Sequence, residues 1–449
     1  MNTYELIAPC HFGLEAVLKR EIYDLGYEIV SVENGKVTFT GDAEAICRAN
    51  INLRTAERVL LKVGQFKAVT FTELFDHVAE LPWEEFIPED GKFWVTKANS
   101  VNSKLFSSSD IQSIVKKAIV ERLKKKYQTG WFKENGSAYP LRVTIMKDIV
   151  TISLDTTGDS LHKRGYRPAS GKAPISETLA AALIMLTPWH KDRIFVDPFC
   201  GSGTFPIEAA MMAANIAPGM NREFTAEQWE NLIPKKEWYM AIEEANDNIC
   251  MDIETDIQGF DIDENVIKIA RQNACNAGVD KLIHFQARDV RQLSHAKKYG
   301  FVITNPPYGE RLEEKEALPA LYTALGEQFA KLDSWSAYVI TSYTDIEKAK
   351  IEAAAGFGAA SAQISSGQSA LNSAQTTLDS NKESLDSAQD QITEGWDSIA
   401  DAKKQLADGW DQYNTSLENF EAQKAEALRN ANADQLVNMQ TLSQLIYAQ

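Results

Sequence analysis

The residues best suited to chemistry lie in the segment Asn305-Pro306-Pro307-Tyr308, which follows the apolar residues 301–304. Proline has no N–H group, so this backbone offers mainly carbonyl acceptors in an extended shape, and Asn305 adds a side-chain oxygen. Such oxygens bind the hydrogens of a planar amino group and aim its lone pair at an electrophile, so that positioning supplies most of the catalysis. Tyr308 is then expected to stack on the base that carries the amine.

A glycine-rich turn lies upstream, at Asp197-Pro-Phe-Cys-Gly-Ser-Gly-Thr204, after a short apolar strand that ends at Asp197. Gly201 and Gly203 allow the backbone to approach a ligand closely before the next helix starts. The N–H groups and the dipole at the start of that helix, beside Thr204, favour a carboxylate. The turn alone is weak evidence, because tight strand-to-helix turns also occur without a ligand.

Acidic residues follow the next two predicted strands. Asp261 and Asp263 follow the first of them, where a carboxylate can accept hydrogen bonds from ribose hydroxyls. Asp289 follows the second, and it either accepts from an adenine amino group or caps a loop. With the amine-binding segment, this series predicts an N-methyltransferase that uses S-adenosylmethionine; guanine N2, adenine N6 and cytosine N4 all suit the chemistry. The residues expected to bind this cofactor are Asp197, Gly201, Gly203, Thr204, Asp261, Asp263 and Asp289.

The elements that must position these residues follow from hydrophobic periodicity. Residues 4–60 predict a strand, a helix, a strand pair turning at Asn34-Gly35 and a second helix, which is half of a ferredoxin-like unit. Residues 60–155 predict a second α/β module. From His162 onward strands alternate with helices, which predicts a parallel, doubly wound sheet. Its predicted strands are 193–196, 257–260, 283–286, 301–304 and 337–341.

A basic stretch interrupts an otherwise acidic chain. The net charge of −17 excludes a uniformly basic nucleic-acid-binding coat, yet residues 97–126 contain eight Lys or Arg against two acids. Such a patch binds phosphates or forms a solvated helix face. The positive residues expected to contact RNA are Lys97, Lys104, Lys116, Lys117, Arg122 and Lys124, together with Arg164 and Arg167 just before the core.

The last hundred residues have a different character. Apolar residues recur every seven positions from Ile364 to Tyr413, and residues 350–449 contain no proline and carry 6 Lys or Arg against 14 Asp or Glu. Eight consecutive heptads predict a helical coiled coil. An isolated helix cannot bury this apolar seam, so the tail is expected to fold back as an antiparallel hairpin, to associate with another copy through 364–420, or to remain partly frayed.

Cysteine usage and hydropathy narrow the compartment. The five cysteines show no CxxC pair and no accompanying histidine pattern, so we expect reduced thiols and no metal site. No segment reaches the ~18 apolar residues of a membrane span. A cytoplasmic protein without a membrane partner is therefore expected.

Four segments together identify a resemblance that covers residues 1 to about 349. They are Ser103-Lys-Leu-Phe-Ser-Ser-Ser-Asp-Ile-Gln112, Leu161-His-Lys-Arg-Gly-Tyr-Arg167, the glycine-rich turn and Asn305-Pro-Pro-Tyr-Gly309. They resemble the bacterial THUMP-domain RNA guanine-N2 methyltransferases, close to those acting on 23S ribosomal RNA. The resemblance implies a ferredoxin-like domain at 1–50, a THUMP domain at 51–158 that docks RNA, and a Rossmann-like class I methyltransferase domain at 159–349. The coiled coil at 350–449 resembles helical insertions of bacterial permease ectodomains.

One departure and two alternatives accompany this interpretation. Members of that family continue after the fifth strand into an antiparallel strand pair, whereas this chain runs into the predicted coiled coil. The core is thus expected to lack its last two strands and to present an unpaired edge. The alternatives are a DNA adenine-N6 methyltransferase and a non-catalytic protein assembled through its coiled coil.

Overall fold

The computed structural model of the chain describes residues 3–167, 175–307, 312–341, 398–399, 401–406, 408–424 and 426. The chain divides into two compact units, Met1–Ala354 and Ala355–Gln449. Two β-sheets organise the described part of the first unit, one of seven strands and one of five. They match the predicted mixed α/β architecture.

The first half of the seven-stranded sheet is the predicted ferredoxin-like arrangement. Its core residues, among them Val37 and Phe39, alternate along the strands and are fully buried. Gly35 has φ +76° in the hairpin turn, a conformation that disfavours any side chain. The elements are β1 (Tyr4–Pro9), α1 (Glu15–Asp24), β2 (Ile29–Glu33), β3 (Lys36–Gly41), α2 (Ala43–Asn52) and β4 (Leu60–Lys67).

The second half of that sheet contains the second predicted module. Its elements are α3 (Phe71–Glu80), β5 (Lys92–Val101), α4 (Ser108–Tyr127), β6 (Ala138–Met146) and β7 (Ile149–Asp155). The strand order is β2-β3-β1-β4-β7-β6-β5, so β4 pairs with β1 on one side and with β7 on the other. The two modules that the sequence predicted separately therefore share one continuous sheet.

The five-stranded sheet is parallel throughout its described pairs, with the order β10-β9-β8-β11-β12. The chain starts at the central strand β8, builds outward to one side and then crosses to the other, as a doubly wound sheet requires. The elements are α5 (Glu177–Met185), β8 (Phe195–Asp197), α6 (Thr204–Ala213), α7 (Lys235–Asp247), β9 (Ile257–Asp261), α8 (Glu264–Asn276), β10 (Ile283–Ala287), β11 (Phe301–Thr304), α9 (Leu312–Phe329) and β12 (Ser336–Val339). Among the described strands, β12 pairs only with β11 and forms an edge.

A segment between α6 and β9 returns to the first sheet. The Trp229 ring is fully buried and stacks on Tyr139 of β6 at 5.1 Å, and its indole N–H donates to the Ala138 carbonyl at 2.7 Å. The Arg48 guanidinium on α2 forms a bidentate ion pair with Glu244 on α7 at 2.7 Å. This segment therefore fastens the methyltransferase-like half to both N-terminal modules.

The described residues of the second unit, at 398–399, 401–406, 408–424 and 426, are helical. This agrees with the predicted helical character. The junction near residue 350 and the heptads from Ile364 to Ile392 lie outside the described residues.

Trp229→Ala should destabilise the first unit by about 3–5 kcal/mol, because it removes a buried aromatic ring and leaves a cavity. Urea unfolding followed by circular dichroism measures the loss. Trp131→Ala removes the same side chain at a site 75% exposed and should change the free energy of unfolding by less than ~0.5 kcal/mol. Equal effects of the two substitutions would contradict the packing described for Trp229.

Candidate active site

The predicted site residues gather at the carboxyl edge of the five-stranded sheet. Asp197 ends β8, Asp261 ends β9, Asp289 follows β10 and Asn305 follows β11. Because parallel strands lie ~4.8 Å apart, these residues succeed one another across the edge in the order 289, 261, 197, 305. The strand order reverses between β8 and β11, which is where open α/β sheets bind ligands.

A buried hydrogen bond joins the two strands at that reversal. The Thr304 hydroxyl donates to Asp197 Oδ1 at 2.5 Å, and the Phe199 N–H donates to the same oxygen at 3.1 Å. Burial raises the pKa of Asp197 to about 7, although both hydrogen bonds lower it. Asp197 was predicted to bind the cofactor; in the structure its carboxyl is 1% exposed and links the glycine-rich turn to the residue before Asn305.

The glycine-rich turn has the open backbone that a ligand requires. Gly201 has φ +53°, and no atom lies within 4 Å of the position a Cβ would take. The Ser202 hydroxyl is buried and has no hydrogen-bond partner among the described residues. Gly203, at φ +87°, lies against Phe285, where a Cβ would approach the ring to 3.0 Å. An open backbone followed by a helix start fits the carboxylate end of S-adenosylmethionine.

The carboxylates of Asp261, Asp263 and Asp289 shape the adjoining loops. Asp261 accepts hydrogen bonds from the N–H groups of Gly201 at 3.1 Å and of Asp263 at 3.0 Å, so it fixes the turn as well as facing the edge. Asp263 caps α8 by accepting from the Asn265 N–H at 2.8 Å.

Asp289 forms an ion pair with Arg291, and the hydrogen bond between the two side chains lowers the pKa of Asp289 to about 2. It also accepts from the Arg291 backbone N–H, which is the loop cap that the sequence left open.

The amine-binding segment follows β11 directly. Asn305 is partly exposed, Pro306 is buried and Pro307 is exposed. The Tyr322 hydroxyl on α9 donates to the Pro307 carbonyl at 3.4 Å, and it lies 2.6 Å from the Thr341 hydroxyl after β12. Tyr308 lies outside the described residues.

Arg167 lies beside the glycine-rich turn. Its guanidinium donates to the Thr204 hydroxyl at 3.2 Å and forms an ion pair with Glu177 at the start of α5. Burial raises the pKa of Glu177, and Arg167 opposes that shift. Arg167 was predicted to contact RNA; in the structure it braces the first residue of α6.

The expectation for Arg164 requires correction. The side chain is 2% exposed, donates to the carbonyls of Leu161 and Arg54, and lies 3.6 Å from Glu208 on α6. A guanidinium enclosed in this way cannot reach an RNA phosphate. The hydroxyl of Tyr166, two residues further along the chain, donates to the same Glu208 carboxylate. Arg164 therefore stabilises the domain junction.

The lysines and arginines of the basic patch fall into two groups, those that form ion pairs and those that do not. Arg122 forms a bidentate ion pair with Glu84, at 2.7 Å and 3.0 Å, and this corrects its expected role as a free phosphate ligand. Lys124 pairs with Glu121 at 3.1 Å, and Lys116 with Glu134 at 3.6 Å. The side chains of the patch that are exposed and form no ion pair with an acid in the described part of the chain are those of Lys97, Lys104, Lys117 and Lys125.

A cavity of about 950 Å³ lies apart from Asn305. Its lining includes Thr157, Lys163, Arg167, Arg222 and Gln228. The Arg222 guanidinium donates to the carbonyls of Asp159, Ser160 and Lys163, so it holds the linker into the methyltransferase-like half. Neither Asn305 nor the glycine-rich turn lines this cavity, whereas both lie at the sheet edge, so among the described residues the edge is the candidate active site.

Thr304 and Glu57 were not anticipated from the sequence. Thr304 immediately precedes Asn305, but a hydroxyl on a buried strand gives no local signal. Glu57 accepts hydrogen bonds from Ser160 at 2.8 Å and from Thr178, and it lies 3.3 Å from His11 and 3.4 Å from His162. Despite burial, these contacts lower the pKa of Glu57 to about 2.

Family models match most of the first unit. Residues 5–60 match the RlmL ferredoxin-like domain, residues 68–155 match the THUMP domain, and residues 164–363 match the RMKL-like methyltransferase domain.

Two curated relatives are similar over the same part of the chain. The putative RNA methyltransferase YpsC of Bacillus subtilis is 49% identical over 353 residues, which cover 78% of this chain and 90% of YpsC. The ribosomal RNA large subunit methyltransferase K/L of Buchnera aphidicola is 31% identical over 354 residues, which cover 76% of this chain and half of that protein.

Two solved structures are similar in fold and sequence. SMU.472, a putative methyltransferase complexed with SAH, is 42% identical with a TM-score of 0.74. A protein of Listeria monocytogenes, described as a predicted N6-adenine-specific DNA methylase, is 50% identical with a TM-score of 0.75. In each case 78% of this chain and 92% of the other are covered.

Asp197→Asn should stabilise the protein at neutral pH. The folded pKa of about 7 lies above the unfolded value, so the contribution of this carboxyl to stability is complete below pH ~4 and is lost as the pH rises toward 7. The free energy of unfolding of the variant should therefore exceed that of the wild type by an amount that grows across that window, to at most about 4 kcal/mol.

Urea unfolding between pH 4 and pH 8 measures this difference. Asp247→Asn, at an exposed position on α7, is the control for removing one carboxylate and should change stability by less than ~0.5 kcal/mol. A constant difference between wild type and Asp197→Asn across the range would exclude the burial described for Asp197.

Proposed function

The chain belongs to the family of THUMP-containing, RMKL-like RNA methyltransferases, and on this premise we propose that it methylates the exocyclic N2 of a guanine in 23S ribosomal RNA. The family is dependent on S-adenosylmethionine. The observation that carries the proposal is the junction of Asp197 and Thr304, because it holds the glycine-rich turn and Asn305 on adjacent strands. A ligand in the turn and an amine at Asn305 then face each other across one strand spacing.

The residues at the edge have distinct proposed roles. Gly201, Gly203 and Thr204 hold the carboxylate end of the methyl donor, and Asp261, Asp263 and Asp289 accept from its ribose and adenine. S-adenosylmethionine supplies a methyl group on a positively charged sulfur, so the attacking amine requires orientation more than activation. The protein is thus expected to work through preorganised hydrogen bonds.

The amine is held by acceptors. The Asn305 side-chain oxygen and the backbone carbonyls of Pro306 and Pro307 accept the hydrogens of the amino group, which turns its lone pair out of conjugation with the ring. Tyr308 is proposed to stack on the base. The base must leave its loop or helix to reach these groups.

RNA is favoured over DNA by the N-terminal half. A THUMP domain occupies residues 68–155, and exposed lysines on it can bind phosphates. The name of the K/L relative supports ribosomal RNA of the large subunit as the substrate, and that substrate in turn supports the proposed cytoplasmic location. The DNA adenine-N6 alternative, which matches the description of the Listeria protein, leaves the THUMP domain without a role.

Asn305→Ala should lower methyl transfer by about 10²-fold or more while donor binding is largely retained, because the acceptor of the amine is lost and the turn is intact. The assay is transfer of labelled methyl groups to undermodified 23S ribosomal RNA, with isothermal titration of the donor. Asn246→Ala, at an exposed position on α7, is the matched control and should leave both measurements unchanged.

Several results would decide against these assignments. Equal loss of donor binding and transfer in Asn305→Ala would refute its role as amine acceptor. Transfer to duplex DNA adenine, with none to RNA, would favour the alternative substrate. A folded protein that binds no donor would favour the non-catalytic assembly protein.

We also propose that the coiled coil occupies residues 350–449 and that it associates with a second copy through residues 364–420. In the described helix, Leu406, Tyr413 and Phe420 recur every seven residues and are 74%, 57% and 46% exposed. Trp410 and Leu417 lie between them and are also exposed. An apolar stripe of this spacing is the seam through which coiled coils pair.

Leu406→Glu should weaken this self-association, because it introduces a charge into the apolar seam. Sedimentation equilibrium measures the dissociation constant. Lys404→Glu adds acidic charge at an exposed neighbouring position and should have a smaller effect. A monomeric wild type at high concentration would refute the proposed association.

A further inference from the structure

The end of the THUMP sheet opposite Asp155, the residue from which β7 leads on toward the methyltransferase domain, carries an exposed aromatic ring among lysines that form no ion pair within the described residues. We define the docking tip as residue 67 with residues 101–107 and 146–149. Phe106 is 81% exposed, whereas its neighbour Leu105 is 4% exposed and belongs to the core. A single exposed ring is ordinary, but an exposed ring that continues into further exposed apolar surface marks a binding site.

The loop that carries Phe106 is held in place by hydrogen bonds. The Lys104 N–H donates to Asp148 Oδ1 at 2.8 Å, and the Asp148 N–H donates to the Ser103 hydroxyl at 3.0 Å. The Lys147 N–H donates to the Val101 carbonyl at 3.2 Å. These bonds tie the loop to the β6–β7 hairpin, so Phe106 is presented by a structured loop.

The tip carries positive charge. The side chains of Lys67, Lys104 and Lys147 are exposed, and none forms an ion pair with an acid within the residues that the structure describes. The carboxylate of Asp148, the one acid of the docking tip, accepts a hydrogen bond from the Lys104 backbone N–H. In a chain with a net charge of −17, three lysines against this one acid leave a local excess of two positive charges, which favours an anion.

Apolar side chains continue the surface across the strand ends. Val101, Met146 and Ile149 pair across β5, β6 and β7 and are 49%, 46% and 37% exposed. Aromatic and apolar surface among unpaired cations suits single-stranded nucleic acid, whose bases stack and whose phosphates attract lysine. A partner that offered only negative charge, such as an acidic protein surface, would bind the lysines but would leave Phe106 without a contact.

We propose that the docking tip binds an unpaired segment of the substrate RNA, with Phe106 stacked on a base and Lys104 and Lys147 on the flanking phosphates. This inference rests on the proposed function, since it assumes an RNA substrate. β7 runs from Ile149 at the tip to Asp155 at the other end of the sheet, a distance of roughly 20 Å at ~3.3 Å per residue. The tip therefore acts on RNA affinity, at a distance from the reacting amine.

Phe106→Ala should weaken binding of transcribed, undermodified 23S ribosomal RNA by about 5-fold to about 150-fold, the range of one lost stacking contact. Filter binding measures the dissociation constant. The loss should appear in Kd and in KM for RNA, with kcat retained. Phe106→Tyr keeps a ring that can stack and should bind as the wild type does.

Phe12→Ala is the matched control. Phe12 is 77% exposed and follows β1, whose end lies opposite the docking tip because β1 and β7 run in the same direction. Its substitution should leave RNA affinity unchanged. Lys104→Ala and Lys147→Ala should each reduce the slope of log K against log salt by about 1, as expected for a lost phosphate contact.

Three outcomes would overturn the inference. They are unchanged affinity in Phe106→Ala, an equal loss in Phe12→Ala, and a reduced kcat with unchanged affinity. Retained binding to naked RNA with lost binding to large ribosomal particles would instead assign the tip to a protein. Failure of the proposed function is distinguishable, because the wild type would then methylate no RNA at all.

Discussion

The buried hydrogen bond between Thr304 and Asp197 is the constraint on which the site depends. It spans the two central strands of the parallel sheet at the point where the strand order reverses. A carboxyl group that is 1% exposed is costly to ionise, and its raised pKa reflects that cost. The same group sets the start of the glycine-rich turn and the end of β11, so the position of one depends on the other.

Around this contact, charged side chains that the sequence suggested were free to bind a ligand form internal ion pairs and hydrogen bonds. Arg164 and Glu208 lie inside the domain, and Arg167 connects α5 to the first residue of α6. Glu57 gathers polar partners from both sides of the domain junction. Buried charges must be paired and hydrogen-bonded to be tolerated, so such residues concentrate where domains meet.

Much of the architecture was predictable from sequence because it depends on local patterns. Alternating apolar residues located the strands, and Gly35 and the turn at 197–204 marked changes of direction. Burial of Arg164 and pairing of Arg122 with Glu84 were not predictable, since each depends on a partner distant in sequence. The same holds for Thr304, whose partner lies on another strand.

The pairing of β4 with strands of both modules was also not predictable, because its sequence has the pattern of an ordinary strand. Hydrophobic periodicity shows that a strand exists and which face is buried, but it does not show its neighbours. The return of Trp229 and α7 to the first sheet was not predictable for the same reason, since their partners Tyr139 and Arg48 are distant in sequence.

That returning segment has a consequence for the chain as it leaves the ribosome. The N-terminal sheet cannot complete its core until Trp229 and α7 have been synthesised, long after its own strands have emerged. In the interval, apolar surface on Tyr139 and α2 stays uncovered, which exposes the nascent protein to aggregation and slows its maturation.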